Sequence, residues 1–67
     1  MEKVKNYYWV ARDRNGDLNL FEDEPIRLRE FFVARWSFDE VWRLPQEKYW
    51  SVTWENSPKM VVVQGGK

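Results

Sequence analysis

The sequence predicts a small, mainly β domain, with a β-rich α+β fold as the alternative. Two aromatic-rich runs separated by an Asp, Asn and Gly cluster, at residues 7–21, are typical of a β-hairpin. Short runs of aromatic and β-branched residues then alternate with turn-forming residues along the chain. We therefore expect a single-domain antiparallel meander of about five or six short strands, with one or two short helical turns.

Residues 13–17 predict the geometry of the hairpin turn. Asp13 and Gly16 fit a type I turn in which Gly16 adopts the left-handed conformation and forms a G1 bulge. A two-residue turn centred on Asn15 and Gly16 is the competing register. The first register gives the hairpin two apolar faces, so the hairpin is either covered on both sides or presents aromatic residues to a partner. One face then carries Tyr8, Val10, Leu18 and Leu20, and the other carries Trp9, Ala11 and Phe21.

Residues 22–36 leave two readings open after an acidic turn that ends at Pro25. The spacing of Leu28, Phe31 and Phe32 fits a helix over about residues 25–36, with Pro25 at its first position. Alternation of aromatic and β-branched residues fits a strand over about residues 30–36 equally well. We favour the strand, mainly because of the resemblance described below.

The remaining elements follow from short local patterns. Prolines and turn-forming residues separate the short apolar runs in this part of the chain. The predictions are a turn over 37–39, a strand over 41–44, a helical or 3₁₀ turn over 45–50, a strand over 52–54, a turn over 55–58, and a strand over 60–63 buried on both faces. We expect one domain over residues 1–67, with residues 1–5 frayed and residues 64–67 forming a flexible tail.

Composition argues against several classes of function. The chain has eleven basic and eleven acidic residues, which disfavours a duplex nucleic acid as partner. It has no Cys and no His, so we expect no enzyme, no catalytic residue, no cofactor and no metal site. The run Glu22-Asp23-Glu24 is best read as a solvated turn, because neighbouring side chains on an extended chain point in opposite directions. Without a signal peptide or a membrane-spanning run, we expect a cytoplasmic protein with no membrane partner.

Arginines placed close to aromatic residues are the main candidate binding feature. A nucleotide needs a flat apolar surface for its base and charged groups for its phosphates. The competing reading is packing, because a small domain without disulfides needs its tryptophans in the core and arginines often lie over aromatic rings. The candidate ligand- or partner-binding residues are Trp9, Arg12, Arg27, Arg35, Trp36, Trp42 and Trp54.

Two motifs resemble a family of small proteins of unassigned function in bacteriophages, prophages and gut Bacteroidales genomes. The first comprises Trp9-Val10-Ala11-Arg12-Asp13, Asn15-Gly16-Asp17-Leu18, Leu20-Phe21 and Pro25-Ile26-Arg27, and the second is Val52-Thr53-Trp54-Glu55-Asn56-Ser57-Pro58. Residues 28–50 depart from the family pattern. The resemblance implies a compact β-rich fold in the cytoplasm of a bacterial host, and it implies no activity.

These observations predict a non-enzymatic phage or mobile-element protein. We expect it to interact with a host or phage protein, for example in anti-defence, by covering a protein surface with exposed Trp, Tyr and Arg. The first alternative is a nucleotide-binding module that sequesters a signal, which requires Arg12, Arg27 and Arg35 to converge beside Trp36. The second is a purely structural homo-oligomer, such as a homodimer, because sharing aromatic faces would relieve the burial limit of a small chain.

Overall fold

The computed structural model describes residues 7–62, which form six strands and no helix. This confirms the mainly β single-domain fold. Within that range no helix is long and apolar enough to cross a membrane. The predicted frayed residues 1–5 and tail 64–67 lie outside the described residues. The strands are β1 (Tyr7–Arg12), β2 (Leu18–Phe21), β3 (Ile26–Arg27), β4 (Phe32–Val33), β5 (Val41–Leu44) and β6 (Lys59–Val62).

The strands form a four-stranded antiparallel sheet of order β5-β2-β1-β6 and a separate β3–β4 ribbon. This order departs from a meander. The β3–β4 ribbon is inserted between β2 and β5, and β6 returns beside β1. The β1–β2 hairpin therefore occupies the centre of the sheet, and β5 and β6 are its edges.

The hairpin turn has the predicted geometry. Gly16 N–H donates to the Asp13 carbonyl at 2.9 Å, and Asp13 N–H donates to the Asp17 carbonyl at 2.8 Å. Gly16 has a φ of 101°, a conformation that residues with a side chain rarely adopt. The type I turn with a G1 bulge is thus confirmed. The competing turn centred on Asn15 and Gly16 is wrong, because the strands pair as Trp9 with Phe21, Val10 with Leu20, Ala11 with Asn19 and Arg12 with Leu18.

Apolar residues cover both faces of the hairpin, which is one of the two outcomes that the sequence left open. We name the faces the Leu18 face and the Phe21 face after their fully buried residues. Burying a side chain of this size contributes roughly 1.5 to 3 kcal/mol. The Leu18 face holds Val10, Leu18 and Val52, with Leu20, Leu44, Tyr49 and Val61 against them. The Phe21 face holds Ala11, Phe21 and Phe32, with Trp9, Ala34 and Trp54 against them.

Residues 25–36 form less regular secondary structure than either the helix or the strand that the sequence predicted. The helix over residues 25–36 is wrong, and the strand over 30–36 is reduced to β4, which pairs only with β3. Leu28 N–H donates to the Phe31 carbonyl at 2.8 Å, which closes a tight turn between the two strands. Phe32 N–H donates to Asp13 Oδ1 at 2.9 Å, so the ribbon is tied to the hairpin turn by a side chain.

Three predictions for the last third of the chain are corrected. Residues 45–50 form a turn without helix, in which Lys48 N–H donates to the Pro45 carbonyl at 3.0 Å. Residues 52–54 are not a strand, because Thr53 N–H donates to the Asn56 side chain instead of a neighbouring strand. The final strand is not buried on both faces, because β6 is a sheet edge and its Met60 is 57 % exposed. The strand over 41–44 and the turns at 37–39 and 55–58 form where predicted.

Candidate functional site

Arg12 connects the hairpin to the segment that follows β5. Its guanidinium donates only to main-chain carbonyls, and these bonds use all five of the N–H donors that an arginine has. The backbone N–H of Arg12 also donates to the buried Ser57 Oγ at 2.9 Å. The acceptors of the guanidinium are the carbonyls of Val52 (2.6 Å), Gly16 (2.8 Å), Gln46 (3.0 Å), Lys48 (3.2 Å) and Tyr49 (3.2 Å).

The segment held by Arg12 has an unusual backbone. Tyr49 has a φ of 49°, which is unfavourable for a bulky side chain and persists only where surrounding contacts fix it. Its carbonyl accepts from Arg12 and from Val52 N–H, the latter at 2.8 Å. The next residue, Trp50, is 81 % exposed. Arg12 therefore fixes the loop that presents Trp50 to solvent.

Arg27 is part of a stacked cluster on the Phe21 face. Its guanidinium carbon lies 3.9 Å from the centre of the Trp54 ring and 5.3 Å from that of Phe32. It also donates a hydrogen bond to the Trp54 carbonyl. The rings of Phe32 and Trp54 meet edge to face at 5.4 Å. Cation-π contacts of this kind stabilise the packing of Trp54 over the sheet.

The three candidate arginines do not share one pocket. Arg12 lies on the Leu18 face and donates to five carbonyls, whereas Arg27 lies on the Phe21 face. Arg35 donates from Nε to the Glu24 carbonyl at 3.1 Å. Trp36 stacks on Phe38, with ring centres 6.2 Å apart and nearly parallel rings. The convergence that a nucleotide site would require is therefore not present in this arrangement.

The five tryptophans divide into two groups. Trp9 and Trp54 pack into the cluster on the Phe21 face. Trp36, Trp42 and Trp50 are 51 %, 38 % and 81 % exposed, and all three lie within the stretch that contains β5 and its two flanking turns. We call this stretch, residues 36–50, the aromatic edge. It also carries Phe38, which is 78 % exposed.

A groove opens on the Leu18 face beside β5. Two of its lining residues, Tyr8 and Trp42, contact each other edge to face with ring centres 6.0 Å apart. The groove has a volume of about 450 Å³ and a mainly apolar lining of Tyr8, Leu20, Trp42, Arg43 and Leu44. A second cavity, of about 510 Å³, lies by the hairpin turn and has charges of both signs in its lining. Its Arg12 already donates to carbonyls, which leaves the groove as the better candidate site.

The segment just before β5 carries acidic side chains, which are not part of the groove lining. Glu40 N–H donates to Glu22 Oε1 at 3.1 Å. Asp39 N–H donates to the Trp36 carbonyl at 3.0 Å, while the buried Asp39 Oδ2 accepts no hydrogen bond within the described structure. Desolvation, followed by the nearby Asp23 and then Glu22 carboxylates, raises the pKa of Asp39. Within residues 7–62, no three acidic side chains are arranged to hold a metal ion.

Sequence reasoning placed Trp36 and Trp42 among the candidate residues but missed Tyr8, Phe38 and Trp50. The signal that could have found them is position, because Phe38 and Trp50 lie in turns and large aromatic residues in turns are poorly covered. Tyr8 could not be found in this way. Its role depends on the packing of β5 beside β2, which brings Trp42 to it.

Comparison with known proteins identifies no relative, since no family model, no curated protein and no solved structure matches the chain. The resemblance to small phage and prophage proteins therefore stays a prediction.

Proposed function

We propose that this domain is a binding protein that attaches to another protein through the aromatic edge. The observation that carries the proposal is the display of Trp36, Trp42 and Trp50 along one edge strand and its two flanking turns. Tryptophan is enriched among the residues that dominate protein-binding energy. In the phage context that the resemblance implies, the partner is a host protein and the effect is anti-defence.

The use of the arginines favours a protein over a nucleotide as the ligand. A phosphate site needs guanidinium groups with free donors that point to one place. In this domain, Arg12 donates to carbonyls, Arg27 is stacked on Trp54, and Arg35 donates to the Glu24 carbonyl. Within residues 7–62, the exposed Trp36, Trp42 and Trp50 have no such internal role, apart from the contact of Trp36 with Phe38 and that of Trp42 with Tyr8.

The proposal is tested by affinity capture from lysates of Bacteroidales cells, with quantitative mass spectrometry of the bound proteins. The test variant carries Trp36→Ser and Trp50→Ser, and the control carries Met60→Ser and Val62→Ser on the opposite edge. All four side chains are exposed, so both variants are expected to fold, which circular dichroism checks. A protein captured by the wild type and the control but lost from the Trp variant supports the proposal. Identical capture by all three proteins contradicts it.

The nucleotide alternative is examined with the same wild-type protein. Mono-, di- and cyclic nucleotides are titrated while tryptophan emission is recorded. Under the proposal, the emission does not change. A saturable change with any one nucleotide would restore the alternative, because stacking of a base on an exposed tryptophan alters its environment.

A further inference from the structure

We propose that the partner supplies an extended segment that adds to β5 as a new edge strand, with an apolar side chain in the groove and a Lys or Arg two residues away beside Glu40. This rests on the proposed function and specifies its binding mode. The sheet then has five strands, and the added strand forms its outer edge. The proposal rests on three features: the edge position of β5, the groove beside it, and the charge of Glu40, the residue just before its first residue.

The backbone of β5 is available on one side. Among the described strands, β5 pairs with β2 alone. Alternate residues of an edge strand direct their N–H and C=O groups away from the sheet, and an extended peptide can pair with them. The side chains of Val41, Trp42 and Arg43 are also exposed.

The groove lies on one side of the same strand and takes the side chain of an added strand. The pairing of Trp42 with Leu20 and of Leu44 with Leu18 places both β5 residues on the Leu18 face. Side chains of an added strand that point to this face lie next to Trp42, over the mainly apolar groove formed with Tyr8. A volume of about 450 Å³ accepts an aliphatic or aromatic side chain.

Charge fixes the second recognition position. Two residues before Trp42 along the strand, Glu40 falls on the Leu18 face by alternation, and its N–H contacts Glu22. Asp39 is adjacent in the chain, and desolvation, followed by the carboxylates of Asp23 and Glu22, raises its pKa. A basic side chain two positions from the apolar one on the added strand lies against these acidic side chains, whereas an acidic side chain is repelled.

The opposite edge lacks this combination. β6 begins at Lys59, which pairs with Val10 on the Leu18 face, so a basic residue stands where β5 has Trp42. The groove is formed by β1, β2 and β5 and does not include β6. Specificity for a basic and apolar segment is therefore expected at β5 alone.

The test is selection of a displayed library of random ten-residue peptides on the intact protein. Peptides enriched on the wild type are expected to carry an aliphatic or aromatic residue two positions from a Lys or Arg. Met60→Ser is the matched control on β6 and is expected to select the same peptides. Trp42→Thr, which keeps strand propensity, is expected to weaken binding of a selected peptide by about tenfold or more, because a central aromatic contact is lost.

Charge reversal and backbone methylation separate the binding mode from the proposed function. Glu40→Lys is expected to weaken the binding of a selected peptide by about threefold, because an exposed ion pair is weak. A new selection on this variant is expected to enrich peptides that carry Asp or Glu. N-methylation at alternate residues of the peptide is expected to abolish binding, because the added strand loses its ladder hydrogen bonds.

Two results overturn the strand-addition proposal. The first is that the binding of the selected peptides changes neither with Glu40→Lys nor with N-methylation. The aromatic edge would then bind its partner in another way. The second is a homodimer in analytical ultracentrifugation that dissociates in Trp42→Thr, which means that a second copy occupies β5. Failure of the proposed function is recognised separately, as lysate capture that does not depend on Trp36 and Trp50.

Discussion

The Nε–H of Arg12 donates to the carbonyl of Val52 at 2.6 Å, across 40 residues of sequence. The remaining donors of the same guanidinium reach four further carbonyls, three of them in the segment between β5 and Val52. Arg12 therefore fixes the segment over residues 46–52, which packs against the Leu18 face, and with it the position of Trp50. Its positive charge has a structural use that its place in the sequence did not reveal.

Replacement of Arg12 by Lys is expected to lower the free energy of unfolding by about 2 kcal/mol. A lysine has three donors and no planar fork, so several carbonyls lose their partner. Urea unfolding followed by circular dichroism measures the effect. Arg14→Lys is the control at an exposed position of the same turn and is expected to change stability by less than about 0.5 kcal/mol. Equal stability of the two variants would contradict the structural role of the Arg12 guanidinium.

Replacement of Gly16 by Ala is expected to destabilise the domain by about 1 kcal/mol or more, because an alanine is strained at this φ of 101°. Space is not the cause, since the nearest atom to an added Cβ is Gln46 Nε2 at 3.9 Å. Gly16→Asn is the control and is expected to lose less stability than Gly16→Ala, because asparagine tolerates positive φ better than alanine. Thermal unfolding of both variants measures the difference. An alanine variant as stable as the wild type would show that the turn can adopt another form.

Stability is expected to fall as the pH rises above the ordinary pKa of an aspartate, 3.8, on account of Asp13. Desolvation is the main cause that raises the pKa of Asp13, and the hydrogen bond from Phe32 N–H opposes it. A carboxyl with a raised pKa in the folded state binds its proton more tightly there. Its favourable effect is therefore complete at low pH and is lost as the pH rises through the folded pKa.

The comparison that isolates this effect is the wild type against Asp13→Asn. The amide oxygen can still accept from Phe32 N–H but does not ionise. Urea unfolding from about pH 3 to about pH 7 is expected to show the variant gaining stability relative to the wild type as the pH rises. A constant difference between the two proteins, or one of opposite sign, would contradict the raised pKa. Asp39, whose pKa is also raised, contributes in the same direction.

Quenching of tryptophan fluorescence by iodide is expected to follow the division of the five tryptophans. Removing the most exposed ring, in Trp50→Phe, lowers the quenchable fraction most, and Trp36→Phe lowers it next. Trp9→Phe and Trp54→Phe raise the quenchable fraction, because they remove rings that pack on the Phe21 face. The four single variants are compared with the wild type under equal ionic strength. A reversed order would contradict the exposure of Trp36 and Trp50 and the burial of Trp9 and Trp54.

Local patterns in the chain were sufficient where neighbouring residues decide the structure. The turn at Asp13 to Gly16 depends on the conformational freedom of one glycine, and the register of the hairpin follows from that turn. The strand at residues 41–44 and the turn before it were predicted for the same reason. The mistaken strand at 52–54 has β-branched and aromatic residues, but within residues 7–62 it forms no ladder with a strand of the sheet; Arg12, Asn56 and Ser57 are among its hydrogen-bond partners.

The candidate residues divide in the same way. Sequence could identify Trp36 and Trp42 as members of a set with more aromatic residues than a small core encloses. It could not separate them from Trp9 and Trp54, because exposure depends on which segments cover the two faces of the sheet. Nor could it show that Arg12 donates to carbonyls, since four of its five acceptors lie more than thirty residues away.

The sequence by itself determined the β class, the central hairpin and the surplus of aromatic residues. Strand propensity, turn chemistry and composition are local properties, so no long-range information was needed for them. Only the tertiary structure decided that β5 and β6 are the edges, that Arg12 fixes the loop bearing Trp50, and that Tyr8 and Trp42 line one groove. These features depend on strand order, and that order is set by the joint burial of Val10, Leu18 and Phe21 by segments distant in the chain.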